Sequence, residues 1–171
     1  MAIRNLRYDG DMILYKESKR VEVFDEHLKQ MVEDMFETMY KYNGVGLAAP
    51  QIGILKRVLV IDTGEEGEKL EMINPTITKL EKEVILSEGC LSFPNVFGNV
   101  RRYNYTEAEY MTKDGEKKTI KAEGLLAQAI QHEIDHLNGV LFIDQVIDGK
   151  FYTFDDKGKK KNIVYKSKYG K

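Results

Sequence analysis

Two histidines and a glutamate stand together in the second half of the chain, where residues 131–136 read QHEIDH. His132 and His136 are four residues apart. On an α-helix they therefore project from one face about one turn apart and can bind the same metal ion. Glu133 lies beside this pair, where its carboxylate can reach a metal-bound water without being a ligand, as a general base does. The pattern predicts the metal-binding catalytic helix of a hydrolase.

The surroundings of the two histidines favour burial over a solvated helix face. Leu125 and Ala129 precede them at helical spacing, so all four side chains fall on one stripe of the helix. Burying an imidazole without a partner is costly. If both histidines bind one metal ion, each imidazole has a partner and this cost disappears. If they occupied these positions by chance, the cost would remain.

Two histidines leave a catalytic metal site one protein ligand short. The third histidine of the chain, His27, falls in the first turn of a predicted helix, where a surface or capping role is expected. Cys90 is the better candidate, because it stands in the turn-like segment EGCLS (residues 88–92) at the end of a predicted strand. A lone cysteine is otherwise most often a small buried apolar residue.

A glycine-bounded segment, GVGLAAPQIG (residues 44–53), superficially matches the dinucleotide-binding pattern GxGxxA. That pattern requires a strand before it and a helix after it. Here the segment follows a predicted helix, and Pro50 disfavours helical geometry at Ala49. We expect a shaped loop against which an extended peptide can lie, with the amide of Gln51 presented as a hydrogen-bond donor.

The elements that must position these residues form an α+β pattern. Asp25 is placed to cap a long N-terminal helix that runs to about Tyr42, and residues 124–138 predict a second helix, which carries QHEIDH. Between them lie segments typical of mostly antiparallel sheet, with a hairpin turn at Asp114-Gly115. The predicted strands are residues 57–62, 70–73, 76–86, 99–112 and 117–122. We expect the sheet to pack around the QHEIDH helix.

Length and composition indicate one soluble domain spanning residues 1–171. A single cysteine excludes an internal disulfide and suits a reducing compartment. No apolar run approaches the roughly 18 residues of a membrane helix, and the N-terminus lacks the apolar region of a signal peptide. We therefore expect a cytoplasmic protein without a membrane partner.

The C-terminus differs from the rest of the chain in charge. Residues 157–171 contain seven lysines and no acidic residue. Residues 147–171 are expected to form either a basic tail or a terminal hairpin, in which FYTF (151–154) would pair with NIVY (162–165). Lysines without acids attract polyanions without reading their sequence.

Taken together, GVGLAAPQ, EGCLS and QHEIDH, in this order and spacing, resemble the three signature motifs of the peptide deformylases, in their bacterial first-type form. The resemblance spans residues 1–146. It implies an α+β fold and a metal-dependent hydrolase that removes the formyl group from the N-terminal formylmethionine of nascent polypeptides, yielding formate. The C-terminal helix usual in that family is not expected from the lysine-rich end.

The resemblance also implies roles for individual residues. Cys90, His132 and His136 would hold one divalent metal ion, Glu133 would act as acid and base, and Gln51 with the backbone N–H of Leu91 would stabilise the oxyanion. The residues implied in substrate binding, including an apolar pocket for the methionine side chain, are Val45, Gly46, Leu86, Glu88, Gly89, Leu125 and Ala129.

Cofactor and partners follow from the same resemblance. Fe2+ is the expected metal, with Zn2+, Ni2+ and Co2+ as alternatives, because a Cys-His-His site accepts several first-row metals. The expected partners are N-formylmethionyl nascent peptides and, transiently, the ribosome, with no sequence-specific nucleic acid.

Three other functions stay open at this point. A zincin-type endopeptidase shares HExxH, but more often completes its site with a glutamate or a third histidine. A cysteine hydrolase would use Cys90 as nucleophile and a histidine as base. A peptide-binding module would keep the site and lack turnover.

Overall fold

A computed structural model, which describes residues 2–168, shows an α+β fold, as predicted. The long N-terminal helix α1 is Glu26–Lys41, and the helix that carries QHEIDH, α2, is Gly124–Leu137. The strands are β1 (Gly46–Ala48), β2 (Val58–Asp62), β3 (Lys69–Cys90), β4 (Phe93–Met111), β5 (Lys117–Glu123), β6 (Val146–Phe154) and β7 (Lys160–Ile163). Short 3-10 turns occupy Met12–Tyr15, Ala49–Ile52 and Phe142–Gln145. Among the described residues, no helix is both long and apolar enough to cross a membrane.

The strands form one sheet in which the pairings between strands are antiparallel, in the order β1-β2-β3-β4-β6-β7. Strand β4 is shared, because β6 pairs with its N-terminal part near Phe97 and β5 pairs with its C-terminal part from Tyr105 onward. Strands β3 and β4 are therefore the long centre of the sheet. The C-terminal end of β3, at Cys90, pairs with the N-terminal end of β4, at Phe93.

Strand β2 explains why a helix lies on each side of the sheet. Successive residues of a strand face opposite sides. Val58 and Val60 pack in the cluster that contains the α1 side chains, whereas Leu59 and Ile61 pack in the cluster that contains the α2 side chains. All four are fully buried. Helices α1 and α2 are thus fixed against opposite faces of the same strand.

The prediction of two separate strands, 70–73 and 76–86, was wrong, because β3 is continuous from Lys69 to Cys90. The pairing with β4 shifts between Ile73 and Thr76, and the chain passes through Asn74 with a positive φ of 51°. The Asn74 side chain accepts from the backbone N–H of Val21 at 2.8 Å and donates to its carbonyl at 2.9 Å. These bonds stabilise the irregularity without ending the strand.

The ends of α1 agree with the prediction. The Asp25 carboxylate accepts a hydrogen bond from the backbone N–H of Leu28 at 3.0 Å, which satisfies one free donor of the first turn. The helix ends before Tyr42, and Asn43 has a left-handed φ of 57°. The chain then turns directly into the glycine-bounded segment.

The C-terminal segment forms a hairpin of β6 and β7, in which Phe151 pairs with Ile163 and Phe154 with Lys160. The pairing starts earlier than expected, because the Asp155 carboxylate accepts the backbone N–H groups of Lys157 at 2.9 Å and Lys159 at 2.8 Å and tightens the turn. Within residues 146–168 there is no helix. Residues 169–171 of the predicted basic tail lie outside the described part of the chain.

Candidate metal centre and active site

The structure brings together the three residues predicted to bind a metal. Cys90 ends β3, and His132 and His136 lie one turn apart on α2. Their donor atoms all lie within 4.8 Å of one another, and Cys90 Sγ is 3.3 Å from His136 Nε2. Donors around a four-coordinate cation stand about 3.3 to 3.8 Å apart when the bonds are about 2.0 to 2.3 Å long. The three side chains therefore fit a divalent metal ion. His27 is exposed on α1 and is not part of this group.

His132 is held in one orientation by Glu88. Its Nδ1 lies 2.5 Å from Glu88 Oε1, so the ring donates to the carboxylate and keeps Nε2 for the centre of the site. Burial by itself would lower the pKa of His132, but its hydrogen bonds with Cys90 and Glu88 raise the pKa well above its usual value. A carboxylate behind a histidine in this way sets its tautomer and strengthens it as a ligand.

Glu88 belongs to a buried ion-pair network that the sequence did not reveal. Arg102 donates to Glu88 through Nε at 2.9 Å and Nη2 at 2.5 Å, and to Asp135 through Nη1 at 2.7 Å. Burial would raise the pKa of Glu88, but the bonds from Arg102 and His132 outweigh it and lower that pKa to about 2. Glu88, which was predicted to contact substrate, lines the cleft, but both of its carboxylate oxygens accept hydrogen bonds within this network.

His136 has a different environment. It is 1% exposed, and its Nδ1 has no hydrogen-bond partner among the described residues. Burial first and the neighbouring His132 second lower its pKa well below the usual value. A neutral imidazole is the form that binds metals.

Glu133 is placed as an acid/base group should be. It is 4% exposed, its Oε2 has no partner in the described part of the chain, and its Oε1 is 4.0 Å from His132 Nε2. Burial raises the pKa of Glu133 to about 7, where a carboxyl group can both accept and release a proton near neutral pH. Gly46 leaves room for it, since an added Cβ there would be 2.7 Å from Glu133 Oε1.

The amide of Gln51 is fixed at both ends. Its Oε1 accepts from the backbone N–H of Ala48 at 2.9 Å, so its NH2 group must point the other way. That group donates to Ser92 Oγ at 3.1 Å and lies 3.4 Å from Cys90 Sγ. The expected donor therefore faces the metal centre, and Ser92, which is fully buried, is a positioning residue that motif reading missed.

The predicted shaped loop is more regular than expected, because residues 46–48 form β1 and residues 49–52 form a 3-10 turn. Opposite it, Leu91 and Ser92 make the two-residue turn between β3 and β4. The Leu91 side chain packs over Gly44, where an added Cβ would be 2.6 Å from its Cδ1. Glycine at 44 thus lets the two segments approach, and the backbone N–H of Leu91 follows directly after Cys90.

A cleft of about 670 Å³ opens onto this centre. Its lining includes six of the seven residues predicted to bind substrate, namely Val45, Gly46, Glu88, Gly89, Leu125 and Ala129. Leu86 is not among the lining residues and lies half-buried on β3, two residues before Glu88. The lining also contains residues that no motif indicated, among them Leu6, Tyr8, Tyr42, Phe97 and Gln128.

The arrangement can polarise and hydrolyse an amide. It combines three side chains that can hold a metal ion, a buried carboxyl group with a pKa of about 7, a fixed amide donor and a cleft of about 670 Å³. Strand β3 and helix α2 together supply the metal-binding residues and the buried carboxyl group, and the segment of residues 49–52 supplies the amide donor.

Comparisons with known proteins agree with this arrangement. The sequence profile described as polypeptide deformylase matches residues 3–151. A peptide deformylase of Acetivibrio thermocellus is 49% identical over 173 residues, covering 98% of this chain and 99% of that protein. The crystal structure of peptide deformylase from Thermotoga maritima matches with a TM-score of 0.82 at 44% identity, covering 85% of this chain and 99% of that one.

A further solved structure carries a peptide. It is a Met-Ala-Ser-bound class I type b peptide deformylase from Acinetobacter baumannii, with a TM-score of 0.80 and 32% identity, covering 85% of this chain and 99% of that one. Sequence profile, full-length relative and solved structures all lead to the same conclusion. The chain belongs to the polypeptide deformylase family.

Proposed function

We propose that this chain, acting as a single catalytic domain, removes the N-formyl group from the N-terminal formylmethionine of nascent polypeptides and releases formate. Family membership supports the activity. The observation that carries the assignment to particular residues is the convergence of Cys90, His132 and His136 beside a buried Glu133. The Met-Ala-Ser ligand of the Acinetobacter relative has the form of a deformylated product, which fits this reaction.

The side chains divide the work as follows. Glu133 accepts a proton from the water that attacks the formyl carbon and then donates it to the departing amine. The side-chain N–H of Gln51 and the backbone N–H of Leu91 donate to the formyl oxygen, where negative charge develops. Val45, Gly46 and Gly89 lie along the peptide backbone, and the apolar surface of Leu125 and Ala129 receives the methionine side chain.

Cys90, His132 and His136 would hold one divalent cation. When bound, such a cation polarises the formyl oxygen and lowers the pKa of a water molecule at its open position. We propose Fe2+, with Zn2+, Ni2+ and Co2+ as alternatives that the same donors accept. Elemental analysis of protein purified without oxygen tests this, since iron at about one equivalent per chain is the expected result and another metal at that level would contradict it.

The alternative in which Cys90 is a nucleophile can be tested directly. Its Sγ lies 3.3 Å from His136 Nε2, so His136 is close enough to act as its base. A thiol nucleophile would not need a metal. We expect a chelator to abolish formate release from formyl-Met-Ala and added metal to restore it. Activity that survives complete metal removal would favour the cysteine hydrolase, and cleavage of an internal peptide bond would favour an endopeptidase.

The role of Glu133 is tested by two substitutions. Glu133→Gln keeps the shape of the side chain and Glu133→Ala removes it, and neither residue can accept the proton. Both variants should lose formate release while keeping one metal ion per chain by elemental analysis. Turnover retained by either variant would show that another group is the base. The wild-type protein is the reference in the same assay, and absence of formate release there would favour the peptide-binding module.

Cytoplasmic location and transient ribosome contact are also proposed, since the substrate is the nascent chain. Lys157 and Lys159 lie exposed at the turn of the C-terminal hairpin and suit a weak, salt-dependent attraction to ribosomal RNA. The double variant Lys157→Gln/Lys159→Gln should cosediment less with ribosomes at low salt. Equal cosedimentation of variant and wild type at low salt would dispose of this contact.

A further inference from the structure

Three aromatic rings pack together beside the cleft, and one of them, Phe97, lines it. Phe97 stacks on Tyr152 with ring centroids 5.9 Å apart, and Phe154 meets Phe97 edge-on at 5.2 Å and Tyr152 at 5.7 Å. We call Phe97, Tyr152 and Phe154 the aromatic wall. Tyr152 is 6% exposed, whereas Phe154 is 47% exposed. The wall therefore has a buried base and an apolar face open to solvent.

The wall is continuous with the active-site cleft. Phe97 lines the cleft, and it pairs with Gly89, the residue before Cys90. The Phe97 ring lies directly over Gly89, because an added Cβ there would be 2.6 Å from the ring. A peptide that lies along Gly89 therefore has this ring beside it.

The C-terminal hairpin builds the wall from behind. Tyr152 and Phe154 belong to β6, and Tyr152 pairs with Phe97. The hydroxyl of Tyr152 is hydrogen-bonded to Ser87, and Lys160 of β7 places its Nζ 3.9 Å from the centroid of the Tyr152 ring. The hairpin extends beyond residue 151, where the match to the family profile ends. The Phe97 ring, which lines the cleft, is thus supported by a part of the chain that the profile does not cover.

Strand alternation decides which substrate residue meets the wall. Glu88 points toward α2, where it bonds His132, so its neighbours Ser87 and Gly89 face the opposite side, the side of Phe97. In an extended peptide lying beside β3, a methionine side chain directed toward Leu125 and Ala129 of α2 puts the next side chain on the side of the wall.

From this geometry we propose that the aromatic wall is a subsite for an apolar side chain at the second residue of the formylated peptide, with the C-terminal hairpin setting the preference. The inference rests on the proposed deformylation. An apolar side chain here would cover the exposed face of Phe154, and contacts of aromatic rings typically change affinity by about two- to tenfold. Because the wall is away from the reacting atoms, the effect should lie in KM and leave kcat nearly constant.

The experiment compares formyl-Met-Ala, formyl-Met-Leu and formyl-Met-Phe as substrates, each by formate release. The wild type should favour the Leu and Phe peptides over the Ala peptide by about three- to tenfold in kcat/KM, through a lower KM. Phe154→Ala should bring this ratio close to one, and Phe154→Leu should keep part of it. Ile147→Ala is the matched control, since Ile147 lies on the same strand and is 43% exposed, and its ratio should equal that of the wild type.

Each outcome has one meaning. A wild-type ratio near one, a ratio unchanged in Phe154→Ala, or an equal loss in Ile147→Ala would overturn the subsite. Failure of the wild type to hydrolyse any of the three peptides would instead refute the proposed function. Thermal unfolding of each variant guards against a general loss of folded protein, and Phe154→Leu repeats the test with a smaller change in packing.

Discussion

Two neighbouring arginines on β4 show how differently the two faces of the central strands are built. Arg101 pairs with Glu83 of β3 at 2.7 Å, with side chains 58% and 48% exposed. Arg102 pairs with Glu88 of the same strand at 2.5 Å, and both side chains are 5% exposed. The residue types and the strands are the same, and only the direction of the side chains differs.

The difference in burial decides what each pair does. The exposed pair is screened by water and contributes about 1 kcal/mol at most. The buried pair is surrounded by protein, and its glutamate also accepts from His132, so its geometry is passed on to a residue of the metal centre. The inner face of β3 and β4 therefore holds the chemistry, and the outer face, with Phe97 and the hairpin, shapes the approach to it.

The largest expected effect follows from removing the cation of the buried pair. Arg102→Ala leaves the carboxylates of Glu88 and Asp135 without their main partner, and breaking a buried pair typically lowers the free energy of unfolding by about 3 to 5 kcal/mol. Arg101→Ala is the matched change on the outer face and should cost about 1 kcal/mol at most. Urea unfolding of both variants measures the contrast. Similar losses for the two arginines would show that burial does not separate the faces as described.

A smaller effect is expected at the metal centre when the acceptor of His132 is changed. Glu88→Gln removes the charge that orients the ring, and loss of such a supporting carboxylate typically weakens metal binding by about 10- to 100-fold. Glu83→Gln serves as control on the exposed side of the same strand. Metal content after dialysis against graded chelator concentrations provides the measurement. Equal retention in the two variants would mean that Glu88 does not support His132.

The parts of the fold that were predictable from sequence are those with local signals. Asp25 and the spacing of apolar residues marked α1, and His132 with His136 marked the metal-binding face of α2, because both signals repeat within a few residues. Glu133 followed from the same short motif. Cys90 was the better candidate for the third ligand once His27 was set aside, and the resemblance to a family then implied the same role, although no local pattern ties it to a helix more than 40 residues away.

The network around Glu88 and the aromatic wall could not be predicted in this way. Which of Arg101 and Arg102 points inward depends on the register of β3 against β4, and that pairing contains shifts that no turn signal reveals. The pairing of Phe97 with Tyr152 joins residues 55 positions apart. The three-residue β1 is too short to show alternation, which is why the segment was expected to be a loop.

A still smaller effect is expected from crowding the acid/base group on the inner face. In Gly46→Ala the new Cβ would lie 2.7 Å from Glu133 Oε1 and 2.9 Å from its Cγ, so the Glu133 side chain must shift. Small displacements of catalytic groups reduce turnover, and we expect kcat to fall by about tenfold. In Gly67→Ala the new Cβ meets nothing within 4 Å; the positive φ of 80° there costs stability, but kcat per folded enzyme should stay at the wild-type value. An unchanged kcat in Gly46→Ala would show that Glu133 tolerates more movement than the packing suggests.

The smallest effect belongs to the outer face. Tyr152→Phe removes the hydroxyl that bonds Ser87 but keeps the ring that supports Phe97. Because Ser87 is exposed, water can replace the lost partner, so the free energy of unfolding should fall by only about 0.5 to 1.5 kcal/mol. Denaturant unfolding in the presence of metal measures this loss. A loss as large as that of Arg102→Ala would mean that the hairpin is part of the structural centre of the molecule, and the distinction between an inner face for chemistry and an outer face for approach would fail.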